Sequence, residues 1–599
     1  MRLLARLSPR HGAAIAAGLL LALSFPKPGI AGLAWVAPGF LLFAALGRTG
    51  GECFWMGYLA GLTHYLVTLY WLLFIPFPAG AVAGWLALSA YLALYPATWV
   101  WLCWKLFPVA RPPLGQRSGP QARRLDAQSD AGGTPAAVGG TAAVAQQVAG
   151  TGPAQWAENN EAGPDRSWWA AAGEFFTTHW WQRAGWTVLC AALWVTLEMV
   201  VARFLSGFPW NLLGASQYRI LPLIQVASVT GVYGVSFLVV WFSASLVIAL
   251  LRVLRQPGQR WGWLLELRLA LLVFMAVSVF GLGRLLERAD SPRELKIALV
   301  QPSIPQRLIW DHAEDANRFD KIMKLSRLAL ESHPDVIIWP ESSMPNFTEE
   351  NFQAITNLIV RHKVWMILGA DDADRRAGTA GGEADDYDTF NAAFLFSPAG
   401  RLAASYRKRH LVMFGEYLPL ARRLPFLRRI IPIPGDFTPG GTAVPFDLED
   451  LGARLAPLIC FEDVLPALAR ESAAEGTDIL LNLTNDGWFG EGAAQWQQGA
   501  SAAFRAVENG LPLVRCTNNG LTCWIDARGR LREVLRGPSG DVYGPGFLIV
   551  KIPLPPRGQR SEPTVYRRHG DWFGWGCAGL TTIAFAWRGW RKPGVARKS

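Results

Sequence analysis

The chain has 599 residues, of which 51% are hydrophobic and only 17% are charged; ordinary soluble domains carry roughly a quarter charged residues. A mean hydropathy of +0.19 and 28 tryptophans, many at the edges of apolar runs, exclude an ordinary water-soluble protein and favour a membrane-embedded one. The net charge of +11 comes from basic residues lying between apolar stretches rather than on one motif, which argues against nucleic acid as a partner.

Crossing a roughly 30 Å hydrocarbon core takes about 20 apolar residues. In chain order, such spans are predicted at roughly 11–26, 30–47, 55–76, 80–107, 185–205, 222–251 and 265–286, with an eighth at about 571–590. The first is read as a retained helix, because Ser24-Phe25-Pro26-Lys27-Pro28 offers no small-residue cleavage pattern. If every span crosses, Arg2, Arg6, Arg10, Arg48, Lys105, Arg111, Arg252, Arg255, Arg260 and the basic tail from Arg588 to Lys598 share one side. The positive-inside rule then predicts cytoplasmic termini and places the long segment between spans seven and eight outside the cytoplasm. Residues 110–165 are rich in Gly, Ala, Pro and Gln and read as a disordered cytoplasmic loop. A smaller surface insertion is expected at 373–387.

The predicted organisation is a membrane region over 1–290, a catalytic α/β domain over 291–557, and a last span with a cytoplasmic tail over 558–599. Within the middle part, Lys296–Val300, Asp335–Trp339 and Val364–Gly369 read as strands, separated by helices at 313–332 and Glu350–His362. Strands follow at Phe390–Phe396, Leu455–Ile459 and Asp478–Leu483, then a helix at Gln495–Asn509 and strands at Leu513–Cys516 and Leu521–Ile525. Alternating strands and helices that give way to hairpin-like stretches predict two sheets packed between helical layers.

Three short segments carry chemistry. Glu341 follows the apolar run Val336–Trp339, Lys408 lies in Tyr406-Arg407-Lys408-Arg409, and Cys460 ends the run in Leu458-Ile-Cys-Phe-Glu-Asp463. A thiol that attacks, a carboxylate that takes its proton and an ammonium that holds negative charge suit acyl transfer. Lys408 and nearby backbone N–H groups are expected to lower the thiol pKa. Alone, Cys460 would read as a buried strand cysteine; the company of Glu341 and Lys408 reverses that reading. The other six cysteines show no paired spacing: Cys53, Cys103, Cys190 and Cys577 read as small hydrophobes, and Cys516 and Cys523 as members of a strand pair. No metal-ligand spacing is found, and no cofactor is expected. Glu198 falls inside the fifth span, where a charge is costly; it is either functional or paired with a basic residue on a neighbouring helix. Trp488, Phe489 and the stretch Leu424–Ile433 could dip into a headgroup layer or form ordinary core.

These motifs, in this order, resemble the nitrilase superfamily and, within it, the apolipoprotein N-acyltransferase family. The resemblance rests on Trp-Pro-Glu-Ser (339–342), the run Tyr406–Pro419, and Ile-Cys-Phe-Glu (459–462). It extends to Val-Gln-Pro-Ser-Ile-Pro-Gln (300–306) with Trp310, Asn-Asp-Gly-Trp-Phe-Gly (485–490), the run Arg515–Thr522, and Gly207–Gly214. It implies a multi-domain protein: a polytopic α-helical membrane domain of about eight transmembrane helices plus a nitrilase-like αββα sandwich outside the cytoplasm. It implies Glu341 as general base, Lys408 as electrostatic stabiliser and Cys460 as nucleophile. Glu416, Glu462, Trp310, Phe461, Trp488 and Asn485 would have supporting or substrate-binding roles. Phe461 stands where relatives often have Tyr, and Met413 where Pro is common before Phe-Gly-Glu. The implied partners are a phospholipid acyl donor, with phosphatidylethanolamine expected, and a diacylglyceryl apolipoprotein acceptor. The implied setting is a bacterial inner membrane with a periplasmic catalytic domain, and a monomer suffices. A membrane-tethered amidase acting on a small amide is the alternative.

Overall fold

A computed structural model describes residues 9–108, 173, 175–255, 265–287, 293–309, 311–344, 347–376, 387–419, 436–473, 475–559 and 562–590. Trp310 and the expectations for 110–165 and Leu424–Ile433 lie outside the described residues.

The apolar first half forms α1 (Pro9–Leu23), α2 (Ala37–Ala45), α3 (Gly50–Thr68), α4 (Pro78–Lys105) and α5 (Trp180–Val201). It continues with two single turns, α6 (Leu221–Ile224) and α7 (Ala227–Thr230), and then with α8 (Val232–Arg255) and α9 (Leu265–Leu286). Among the described residues, four helical stretches are long and apolar enough to cross a membrane: α4, α5, α8 and Glu266–Leu286 within α9. Leu269, Leu272, Met275, Val279 and Leu286 of α9 are exposed, a face suited to lipid rather than water. Local chemistry sets the helix ends. Thr49 and Glu52 cap α3 reciprocally, Glu52 Oε2 accepting from the Thr49 N–H at 2.9 Å. Helices α3 and α4 touch backbone to backbone at Gly57, where a Cβ would come within 2.6 Å of the Pro96 carbonyl oxygen.

Three expected spans are shorter helices than predicted: 55–76 is α-helical only as far as Thr68 and continues as a 3-10 turn (Tyr70–Phe74). The stretch 30–47 opens as a 3-10 turn (Ala31–Trp35) before α2, and 11–26 is helical only over α1. The stretch 222–251 is not one helix either. It breaks at Gly231, whose φ of +70° suits glycine and whose missing Cβ leaves room for the Tyr566 ring. The first N–H of α8, on Val232, then donates to Glu508 Oε1 at 2.8 Å, so a distant carboxylate caps the helix.

From Arg293 the chain builds two six-stranded sheets. The first contains β1 (Arg293–Gln301), β2 (Val336–Ile338), β3 (Trp365–Arg375), β4 (Tyr387–Phe396) and β5 (Leu402–Arg407). The second contains β6 (Phe446–Leu448), β7 (Ala453–Ile459), β8 (Ile479–Thr484), β9 (Leu513–Thr517), β10 (Cys523–Ile525) and β11 (Leu531–Val534). β12 (Gly546–Leu554) returns to the first sheet, giving the orders β12-β1-β2-β3-β4-β5 and β11-β10-β9-β8-β7-β6. The central trios β1-β2-β3 and β7-β8-β9 are parallel and their flanks antiparallel. β3 and β4 pair as far as Arg375 and Tyr387, so the ladder runs into the expected insertion at 373–387.

Alternation sorts the side chains into layers. Ile297, Leu299, Ile338 and Ile367 meet Leu455, Ile459, Leu481 and Val514 between the sheets. Ala298, Ile337, Met366 and Leu368 face α10 (Asp315–Leu330) and α11 (Glu349–His362). Behind the second sheet lie α12 (Pro466–Ser472) and α13 (Ala494–Asn509). Helix α13 is buried along its length except for the partly exposed Trp496, and its alanines share one core cluster with the membrane helices. The sandwich is therefore αββα, with its last helical layer wedged against the membrane region. After α14 (Val565–His569), α15 (Trp572–Trp590) packs on α5 and exposes Trp575, Ile583, Trp587 and Trp590.

Candidate active site

Glu341, Lys408 and Cys460 sit just past the ends of β2, β5 and β7: carboxylate and ammonium come from the first sheet, the thiol from the second. Lys408 extends its ladder by one bond, its N–H donating to the Asn391 carbonyl at 2.8 Å. Its ammonium lies 2.7 Å from Glu416 Oε1 and 3.4 Å from Glu341 Oε1. Asn391 on β4 donates to the same two oxygens, at 2.7 Å to Glu341 and 3.2 Å to Glu416. Glu341 Oε2 is buried and has no hydrogen-bond partner among the described residues.

Cys460 turns the chain sharply. Its φ of +53° is in the left-handed region, uncommon for a side chain larger than glycine, and a 3-10 turn (Cys460–Val464) follows. The surroundings over-determine that conformation. The Cys460 carbonyl accepts from Asn482 Nδ2 at 3.0 Å and Gln498 Nε2 at 2.9 Å. Glu462, fully buried, accepts four bonds: Ile459 N–H and Tyr406 O–H at 2.8 Å on Oε2, and Arg409 N–H at 2.7 Å and His410 N–H at 3.0 Å on Oε1. One carboxylate thus ties the thiol's turn to the strand exit that carries Lys408. Behind the turn, Asp463 pairs with Arg515, and Arg515 also faces Asp486 at 3.6 Å, all fully buried.

Electrostatics follow from this crowding. Burial raises the Glu341 carboxyl above its ordinary range, against the pull of Lys408. Burial opposes the charge on Lys408, yet Glu416 and Glu341 hold its pKa well above the usual lysine value. The thiol runs against expectation. Burial, and then the Glu341 charge, push Cys460 upward by more than Lys408 pulls it down. The resting sulfur is a neutral thiol that needs a base. Cys460 is also the one cysteine of the seven that is partly exposed; all are free and the other six are buried, Cys516 and Cys523 on the paired strands β9 and β10.

Glu416 touches Lys408 directly, whereas Glu462 shapes the turn. Asn485 is buried but bonds away from these groups, its Nδ2 donating to Gln306 Oε1 at 2.8 Å and its Oδ1 accepting from Asn518 Nδ2 at 3.0 Å. Trp488 is partly exposed on the 3-10 turn Asp486–Phe489. Phe461 joins a ring stack with Phe208, Trp210 and His410, at 5.6, 6.0 and 5.9 Å between centroids, so packing fills the place of a tyrosine. Glu198 forms no ion pair among the described residues: its Oε1 accepts from Leu213 N–H at 2.8 Å and Trp194 Nε1 at 2.9 Å, fastening the loop 207–214. With His64 and Asn211 it lines a cavity of about 50 Å3 beneath Trp210. Asn391, Gln498 and Asp463 escaped sequence reading; the polar run Gln495-Trp-Gln-Gln498 in an alanine-rich helix was the available signal. No group of three His, Cys, Asp or Glu side chains among the described residues could hold a metal.

Two six-stranded sheets with Glu, Lys and Cys at strand exits define a carbon-nitrogen hydrolase domain, and residues 296–538 match the carbon-nitrogen hydrolase family. Residues 17–118 and 166–245 match the apolipoprotein N-acyltransferase N-terminal domain. The chain is 32% identical over 588 residues to the apolipoprotein N-acyltransferase of Geobacter metallireducens, covering 95% of this chain and 94% of that one. It is 35% identical over 337 residues to that of Brucella melitensis, covering 54% and 60%. The chain belongs to the apolipoprotein N-acyltransferase family. Among solved structures, a nitrilase-superfamily amidase of Nesterenkonia AN1 aligns at 19% identity and a TM-score of 0.33, over 44% of this chain and 94% of that one.

Proposed function

We propose that this protein moves a fatty acyl chain from a phospholipid to the N-terminal amine of a diacylglyceryl-cysteine apolipoprotein, through a thioester on Cys460. The observation that carries this reading is the paired Glu341 and Lys408, tied through Glu462 to the Cys460 turn, beside an aromatic face built by the membrane region, where Phe461 stacks on Phe208 and Trp210. Glu341 Oε2 accepts the Sγ proton as sulfur attacks the ester carbonyl. Lys408 and a backbone N–H of the turn after Cys460 hold the oxyanion. Collapse expels the lysophospholipid oxygen, which takes the proton back from Glu341. The acceptor amine then attacks the thioester, loses its proton to Glu341 and becomes an amide; the sulfur leaves as thiolate and recovers that proton.

In this reading Glu416 keeps Lys408 placed and charged, Glu462 fixes the thiol's turn, Phe461, Trp488 and Asn485 border or support the pocket, and Trp310 has a role in binding substrate. The membrane region over 1–290 and the last span at 558–599 cross about eight times in all, with both termini cytoplasmic. The catalytic part, 291–557, faces the periplasm of a bacterial inner membrane, where both lipid substrates arrive by lateral diffusion. No cofactor is required and a monomer suffices. Mass spectrometry of Cys460 after incubation with phosphatidylethanolamine tests the proposal. A fatty acyl adduct that transfers to a lipopeptide amine is expected; an enzyme acylated only by small amides would be a tethered amidase instead.

A further inference from the structure

Neighbouring glutamines on α13 face opposite ways. Gln498 grips the catalytic turn, donating to the Cys460 carbonyl and to Asp463 Oδ1, each at 2.9 Å. Gln497, only 2% exposed, spends its side chain on the membrane region. Its Oε1 accepts from Trp71 Nε1 at 3.1 Å and Trp210 Nε1 at 2.7 Å. Its Nε2 donates to the Pro26 carbonyl at 3.0 Å and the Thr68 carbonyl at 3.2 Å. A carboxamide has two acceptor sites and two donor hydrogens, and all four are used here. The partners come from three separate segments: the loop after α1, the end of α3 with the following 3-10 turn, and the loop 207–214.

The two indoles so held form a wall. Trp71 lies 5.0 Å from Trp210 and 4.5 Å from Phe489, centroid to centroid, and Trp210 lies parallel to Phe461 within 4°. Cys460 packs against this same cluster. Glu198 secures the far end of the Trp210 loop. Without Gln497 both indole N–H groups and two carbonyls would be buried unpaired, and the rings would have to turn to find partners.

We infer that Gln497 is a positioning residue: it locks the Trp71–Trp210 wall to the Cys460 turn, and this wall receives the first methylenes of the acyl chain carried on sulfur. The inference rests on the acyl-transfer reading and deepens it. Its test compares two donors on the full-length protein in detergent micelles: dipalmitoyl phosphatidylethanolamine, and p-nitrophenyl acetate, which carries no chain for the wall. Gln497→Leu is expected to raise KM for the phospholipid about tenfold more than it slows Cys460 acetylation. Trp210→Phe removes one indole N–H but keeps a ring; it should act in the same direction, and adding Gln497→Leu to it should cost less than the two effects multiplied. Equal losses with both donors, or an unchanged phospholipid KM in both variants, would overturn the inference. Failure of the wild type to form any fatty thioester would instead sink the acyl-transfer reading.

Discussion

Lys408 reaches one oxygen of Glu341, at 3.4 Å, and leaves the other buried and without a hydrogen-bond partner among the described residues. The carboxylate is oriented through Oε1 and free to act through Oε2. Glu341→Gln keeps the shape and removes the proton acceptor. Thioester formation should fall about 1,000-fold, within the range for a lost general base, while the folded yield changes little. Single-turnover acylation followed by mass spectrometry measures it, and a variant within threefold of wild type would exclude Glu341 as the base.

The same burial fixes a pH dependence. Only the carboxylate form of Glu341 accepts a proton, and its pKa is raised above the ordinary 4.5, so activity should fall as pH drops through a midpoint higher than 4.5. The sign for stability is opposite: neutral Glu341 favours the fold below its unfolded value, and that contribution is lost as pH rises through the raised value. The thiol is raised above 9.0, so no gain from spontaneous thiolate is expected below that pH. A profile of the acylation rate for wild type and Glu341→Gln checks both limbs; the acidic limb should vanish in the variant.

Glu462 accepts four donors, and a glutamine can accept only with its oxygen. Glu462→Gln would set an NH2 group against two of those donors, on a fully buried side chain. A stability loss of about 3 kcal/mol is expected from the unpaired groups, together with relaxation of the turn at Cys460. Thermal unfolding measures the first, and the acylation rate at a temperature where the variant stays folded measures the second.

Asp463 and Arg515 are paired with neither side chain exposed. Arg515→Met leaves Asp463 and Asp486 as buried carboxyls without their cation, at an expected cost of about 3–5 kcal/mol. Adding Asp463→Leu should recover part of that loss, because the uncompensated charge is then gone. Denaturation in detergent, comparing the single and double variants, decides; a double variant no better than Arg515→Met would show that Asp486 is the carboxylate that matters.

Glu341 and Cys460 were readable because each ends an apolar run, where a buried strand must surface; Lys408, past the open strand β5, was readable only through its motif. The groups that hold them were not. Asn391 matters because β4 pairs with β5, and Gln498 because α13 packs on the 3-10 turn that follows β7; no local pattern encodes either contact. Hydropathy also could not see Gly231, which breaks the predicted sixth span through backbone conformation rather than polarity. The expectation of an acidic thiol counted Lys408 but neither the burial of the sulfur nor the second carboxylate on that lysine, Glu416. Strands β5 and β11 escaped because they are largely open on both faces and show no clean alternation.

Six of the seven cysteine sulfurs are shut inside packed helices and strands, and only the one at the turn after β7 meets the outside. The unmodified chain therefore supplies its own active-centre titration. A maleimide or iodoacetamide should add once per molecule, slowly given the protonated sulfur, and a chain already loaded by its lipid donor should add none. Counting intact molecules that gain one tag then gives the fraction of empty enzyme in a membrane preparation, with no need to strip the remaining cysteines first.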